Sequence, residues 1–119
     1  MGRFTVIFYE KENGEKPAWD FIMGLETKMQ AKVIRGLSIL EESGTELREP
    51  YTKSLGDGIF ELRSKVASNI SRVLYFFMEG SNIIVTNGFI KKTDKTPPSE
   101  KKKAKEYRAD YLRRMEEKK

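Results

Sequence analysis

Neither cysteine nor histidine occurs among the 119 residues. Without cysteine there is no disulfide framework, no thiolate nucleophile and no thiolate-bound metal, and a reducing compartment suits the chain. Without histidine the chain lacks the side chain that most often moves protons near neutral pH, which is also the commonest metal ligand. Any metal would have to rest on carboxylates, so neither a metal nor another cofactor is expected. Long apolar runs are missing too, which leaves no candidate membrane span. The start MGRFTVIFYE carries charge before a secretory apolar region could form. The expectation is a soluble, cytoplasmic protein without membrane attachment. Glycine-rich phosphate loops, zinc-type spacings and internal repeats are also absent.

What is there in excess is positive charge. The net charge is +5 and the pI about 9.4, and the excess gathers in the last third, where KKTDKTPPSEKKKAKEYRADYLRRMEEKK begins at Lys91. Such a run favours a polyanionic partner through counterion release, and it is also what the solvated face of an amphipathic helix looks like. One domain over residues 1–119 is long enough to bury a core without cross-links.

Phe4 to Glu10 (FTVIFYE) reads as a strand, and Asn13-Gly14 marks a turn into a helix opened by Pro17. Ala18, Phe21, Ile22 and Leu25 recur at helical spacing, with Gly24 near the end. A second helix over Thr27 to Ser43 carries Met29, Val33, Leu37 and Leu40 on one stripe and stops at Gly44. This helical hairpin needs an apolar surface, which a sheet face of Phe60, Leu62, Val73, Tyr75, Phe77 and Ile84 provides. Trp19 and Met29 read as core or packing residues. Glu46 to Ser54 reads as an irregular loop containing Pro50, Tyr51 and Lys53, followed by a Gly56-Asp57-Gly58 turn. Beyond the last strand, Ser99 is placed to cap a final helix bearing Ala104, Tyr107, Tyr111, Leu112 and Met115 on one side.

Three runs rich in β-branched and aromatic residues, Ile59 to Lys65, Ile70 to Met78 and Ile83 to Ile90, form a meander of two hairpins. An even loop centred on Ala67 and Ser68 puts Arg63 directly opposite Arg72. A loop centred on Gly80 and Ser81 puts Phe89 on the other side of Arg72, with Lys91 one alternation further on. Arg63, Arg72, Phe89 and Lys91 then share one face at one end of the sheet, and that face is expected to be open. Like charges opposed on a sheet repel unless an anion lies between them, and an aromatic ring beside two guanidinium groups suits a nucleobase attached to a phosphate. The competing reading lets both arginines snorkel to water, or lets Glu61, two residues from Arg63 on the same face, neutralise one of them.

The order strand, two helices, meander, basic helix, together with LGDGIFELR (Leu55 to Arg63), SRVLYFF (Ser71 to Phe77) and GFIKKTDKTP (Gly88 to Pro97), resembles the RelE/ParE toxin superfamily, in its HigB-like, phage Gp49-related branch. The resemblance covers nearly the whole chain. It implies an α+β fold like that of small microbial ribonucleases: an antiparallel β-meander sheet with an N-terminal helical hairpin on one face, and a C-terminal basic helix. It implies the toxin of a type II toxin–antitoxin pair, a metal-independent endoribonuclease that cuts messenger RNA on translating ribosomes. Its partner would be an antitoxin, often a helix-turn-helix DNA-binding protein. Carried onto this chain, the pattern places the RNA-cleaving residues at Arg63, Arg72, Lys91 and Lys92, with Lys53 and Lys95 contributing. Phe89, set beside Arg72 by the strand register, is placed to stack on a base. Some relatives use a histidine or a C-terminal tyrosine near the scissile phosphate. Histidine is missing here and Tyr107 and Tyr111 fall inside a predicted helix, so proton transfer is left to Lys53, Lys91 or Lys92. Two other functions remain open: inhibition of DNA gyrase, as in the ParE branch, and RNA binding without turnover.

Overall fold

A computed structural model describes residues 3–78, 80–91 and 95–118. In chain order the elements are β1 (Thr5–Phe8), α1 (Pro17–Met23), α2 (Thr27–Ser43), a 3-10 turn (Gly44–Glu46), β2 (Thr52–Gly56), β3 (Ile59–Val66), β4 (Asn69–Met78), β5 (Asn82–Lys91) and α3 (Pro98–Glu117). Five strands form one sheet in the order β1-β5-β4-β3-β2. The sheet is mixed: β1 runs parallel to β5, with Thr5 facing Asn82, so the expected purely antiparallel sheet is corrected at that edge. Its outer side is covered by α2, whose Glu41 carboxylate accepts the Val6 N–H at 2.8 Å and so occupies an edge donor that would otherwise invite another strand.

The stripe on α2 is buried as its spacing dictates. Met29, Val33, Leu37 and Leu40 pack with Ala18 and Ile22 of α1 onto Leu62, Val73, Tyr75, Ile83 and Val85 of the sheet. Met29 is a core residue. Trp19 is not: it packs edge-to-face on Phe8 at 5.2 Å with 41% of its surface exposed. Gly44 ends α2 at φ +53°, where a Cβ would lie 2.0 Å from the Phe4 ring, so both conformation and space demand glycine.

Three further differences position the site. The segment expected as a loop before Gly56 contains the edge strand β2, which pairs with β3 and sets Lys53 opposite Glu61. The β4–β5 turn starts one residue out of step with an even loop, with Met78 facing Asn82 and Phe76 facing Ile84. A bulge at Thr86 then restores the register, so that Leu74 faces Asn87 and Arg72 faces Phe89. Ile84 therefore lies on the face away from the helical hairpin. That second face is not open: α3 lies on it, and Ala104, Tyr107 and Tyr111 pack against Tyr9, Ile59, Leu74, Phe76 and Ile84. Ser99 is not the cap of α3, which begins at Pro98. No helix among the described residues is long and apolar enough to cross a membrane.

Candidate cationic site at the sheet end

The β3–β4 hairpin has the even loop its sequence suggests, with Ala67 at φ +56° and Val66 facing Asn69. Arg63 consequently faces Arg72, and Arg72 faces Phe89. Two guanidinium groups at paired positions need an anion, and the protein supplies one. Glu61 is fully buried; its Oε2 lies 3.3 Å from Arg63 Nε, and its Oε1 accepts a hydrogen bond from the Thr96 hydroxyl. The Thr96 oxygen in turn accepts from Arg72 Nη1 at 3.3 Å. One carboxylate thus joins both arginines, one directly and one through a hydroxyl. Burying an ionised carboxylate is costly unless it is paired in this way.

Burial divides the pair into unequal members. Arg72 is fully buried, whereas the Arg63 side chain keeps 19% of its surface. The expected open face with two accessible arginines is therefore corrected to one accessible arginine backed by a buried one. Next to the pair, on the side of Glu61 and Thr96, Lys53, Leu55, Glu61, Lys95, Thr96, Pro98 and Lys101 line a cavity of about 370 Å³ that neither arginine itself lines. Lys53 and Lys95 are exposed. Lys91 faces Ile70, on the same side of the sheet as Arg72 and half-buried. Lys92 lies outside the described residues. Phe89 stands beside Arg72, half-buried against the apolar cluster under α3.

The wall formed by α3 is fastened at both ends. Near its start, buried Asn87, re-aimed by the Thr86 bulge, donates to Glu100 Oε1 at 3.1 Å. Lys101, at the cavity wall, sits 3.0 Å from Asp57 in the β2–β3 turn, and Lys105 sits 3.4 Å from the same carboxylate. Hydrogen bonding from Lys101, then its charge, holds the Asp57 carboxyl below its ordinary range. Near its C-terminal end, Asp110 is held to about 2 by the hydrogen bond from Tyr9 and by that from Arg114. Several basic residues of α3 thus face carboxylates of the same chain. Arg113, for example, pairs with Glu12, Asp110 and Glu117.

Among the described residues no cluster of three or more acidic side chains could hold a metal ion. What the arrangement can do is offer the exposed ammonium groups of Lys53 and Lys95 to an anion in this cavity, with the braced Arg63 guanidinium on the far side of Glu61. In the sequence Glu61 stands out only as a neutraliser of one of the two arginines, and Thr96, far along the chain between a lysine and two prolines, carries no sign of its place beside them.

A mixed five-stranded sheet with a helical pair on one face, a basic helix on the other and a carboxylate-braced arginine pair at one end defines a small α+β protein. The chain belongs to the Phage derived protein Gp49-like family (DUF891), whose model matches residues 20–109 and so spans the site residues from Lys53 to Lys101. That family is associated with RelE-like, toxin-like proteins. No curated protein matches the chain.

Proposed function

We propose that the chain is the toxin of a type II toxin–antitoxin pair and acts as a metal-independent endoribonuclease on messenger RNA, on translating ribosomes. The observation that carries this reading is the Arg63–Arg72 pair, braced by buried Glu61 beside a cavity with exposed lysines. Membership of a toxin-associated family supports it.

In this mechanism the ribose 2′-hydroxyl attacks the adjacent phosphorus, the 5′-oxygen leaves, and a 2′,3′-cyclic phosphate remains. The chain supplies no nucleophile. It lowers the barrier by stabilising the charge that grows on the phosphoryl oxygens. Arg63, oriented through Nε by Glu61, is assigned the phosphoryl contact, an effect worth on the order of 10² to 10³ in rate at comparable oxyanion sites. Arg72 is a positioning residue: it holds Thr96, which holds Glu61, and it adds positive charge from a buried position where the local dielectric is low. Exposed Lys95 is assigned contact with the RNA backbone, and Lys53 and Lys91 are assigned charge neutralisation and proton transfer. Lys92, outside the described residues, shares that role in the family pattern. The partner is an antitoxin, expected to be a small helix-turn-helix protein with an acidic or helical segment that covers the cationic end of the sheet.

Induction of the chain alone should arrest growth by blocking translation, and primer extension on cellular messages should reveal discrete cuts. Intact messages throughout full arrest would overturn the nuclease reading in favour of a non-catalytic inhibitor such as one acting on DNA gyrase.

A further inference from the structure

We infer that a second cavity, on the outer side of Arg63, is a nucleobase subsite that stacks a base of the RNA on Tyr51. This inference rests on the endoribonuclease reading and adds to it where the neighbouring nucleotide sits.

Tyr51 immediately precedes β2, and its carbonyl accepts the Arg63 N–H at 2.8 Å, so the tyrosine is fastened to the strand that carries the accessible arginine. Its side chain is 56% exposed, more than any other large apolar side chain among the described residues. An aromatic ring left in water beside a rigid strand is a poor contributor to folding and a good platform for another ring. With Lys32, Pro50, Arg63, Lys65 and Ile70 it lines a cavity of about 370 Å³. Pro50 and Ile70 extend the apolar wall. The three remaining lining residues, Lys32, Arg63 and Lys65, are cations, and Arg63 is the one that Glu61 braces through Nε. Lys32 reaches in from α2, where its Nζ donates to the Lys65 carbonyl at 2.6 Å, so the ammonium is held at the rim.

A bare phosphate would need the cations alone, and an apolar ligand would need the ring alone. A nucleotide needs both, a π-face for its base and cations for its phosphates. Arg63 belongs to this cavity and to the braced pair, which places the stacked base one step from the phosphate under attack. Phe89, the ring that the strand register sets beside Arg72, is packed against the apolar cluster under α3, so stacking falls to Tyr51.

The test uses the full chain and a short fluorescein-labelled single-stranded RNA made with 2′-O-methyl riboses, which bind but cannot be cut. Tyr51→Ala should weaken binding about 5- to 150-fold, and Tyr51→Phe should bind like the unaltered chain. An abasic position walked along the strand should, at one place, weaken the unaltered chain by a similar factor and add nothing to Tyr51→Ala. Thermal melting should be alike for all three proteins, since the ring is exposed. Equal affinity of Tyr51→Ala and the unaltered chain, or abasic penalties that are the same for both, would overturn the subsite. Message cutting by the unaltered chain in cells would in that case leave the endoribonuclease reading standing. An unaltered chain that binds no RNA and cuts no message would overturn both. Tyr51-dependent binding of polyglutamate with none of RNA would replace the nucleotide by an acidic peptide.

Discussion

Asp110 accepts the hydroxyl of Tyr9 at 2.6 Å and a guanidinium N–H of Arg114 at 2.9 Å, so a residue deep in the last helix is tied to the chain just beyond the first strand. The same bond acts on both partners. Burial, then the nearby carboxylate, pushes the Tyr9 hydroxyl well above its usual range, while Asp110 falls to about 2. Its folded value lies below the roughly 3.9 of an unfolded aspartate, so the stabilisation is complete above that pH and is lost as pH falls toward about 2. Asp57 titrates in the same direction, which makes the difference between variants the informative quantity. Asp110→Asn should be less stable than the unaltered chain at neutral pH, and the gap should close between about pH 4 and pH 2. Urea unfolding followed at several pH values measures it; a gap independent of pH would remove this bond from the account.

Arg63→Ala should slow message cutting by about 10² to 10³ in rate, and it should also lower the melting transition, because it leaves buried Glu61 without its direct ion-pair partner. Arg63→Lys should recover little, since an ammonium lacks the planar fork that meets two oxygens at once. Cleavage of a defined message in a translation extract, compared with thermal melting, separates chemistry from folding. Full activity in Arg63→Ala would exclude this residue from the phosphoryl contact.

Glu61→Gln should act chiefly on folding. The side chain is fully buried and joins two arginines, and removing one charge of such a set costs about 3 to 5 kcal/mol. Arg72→Met should show a loss of the same order. The double variant should lose less than both single losses together, because each removes the charge that the other leaves uncompensated. Urea midpoints of the four proteins complete the cycle, and strict additivity would mean that the two groups do not share a network.

Gly44→Ala should destabilise by about 1 to 3 kcal/mol, through the clash with Phe4 and a φ that alanine resists. Pairing it with Phe4→Leu should relieve the steric part and leave the conformational part, which a thermal melt of the two variants would resolve.

The elements legible from sequence were those specified locally. The bounds of α2 and its Met29, Val33, Leu37, Leu40 stripe follow from spacing and a terminal glycine. The facing of Arg63 and Arg72 follows from an even hairpin loop. Phe89 also lands opposite Arg72 as expected, but by another route: an odd connection and a bulge at Thr86 shift the register by one residue each and cancel. The residues between the two shifts, Asn82 to Val85, end on the faces opposite to those expected, so Ile84 lies under α3 while Ile83 and Val85 join the core under the helical pair. What stayed hidden was non-local. The β1–β5 pairing joins distant residues, and β2 is a short edge strand whose Lys53 and Ser54 look like loop. Nothing in the arginine-bearing strands announces that α3 will cover their apolar end. The site was legible in its cations and not in its anion. A single glutamate near an arginine is common, and only the three-dimensional arrival of Thr96 shows that Glu61 serves both arginines.

The parallel seam between β1 and β5 has a consequence for how the chain is made. Thr5 to Phe8 are synthesised well before their hydrogen-bonding strand, Asn82 to Val85. The meander from β3 to β5 closes through short connections, which form quickly, whereas the seam must wait for the loop between its strands to be closed. During that interval the apolar run FTVIFY has helical neighbours but no sheet to join, so early synthesis leaves an aggregation-prone strand waiting for its partner. Glu41, which later occupies the outer edge of β1, is made well before β5, so α2 is ready to shield that strand before its sheet exists.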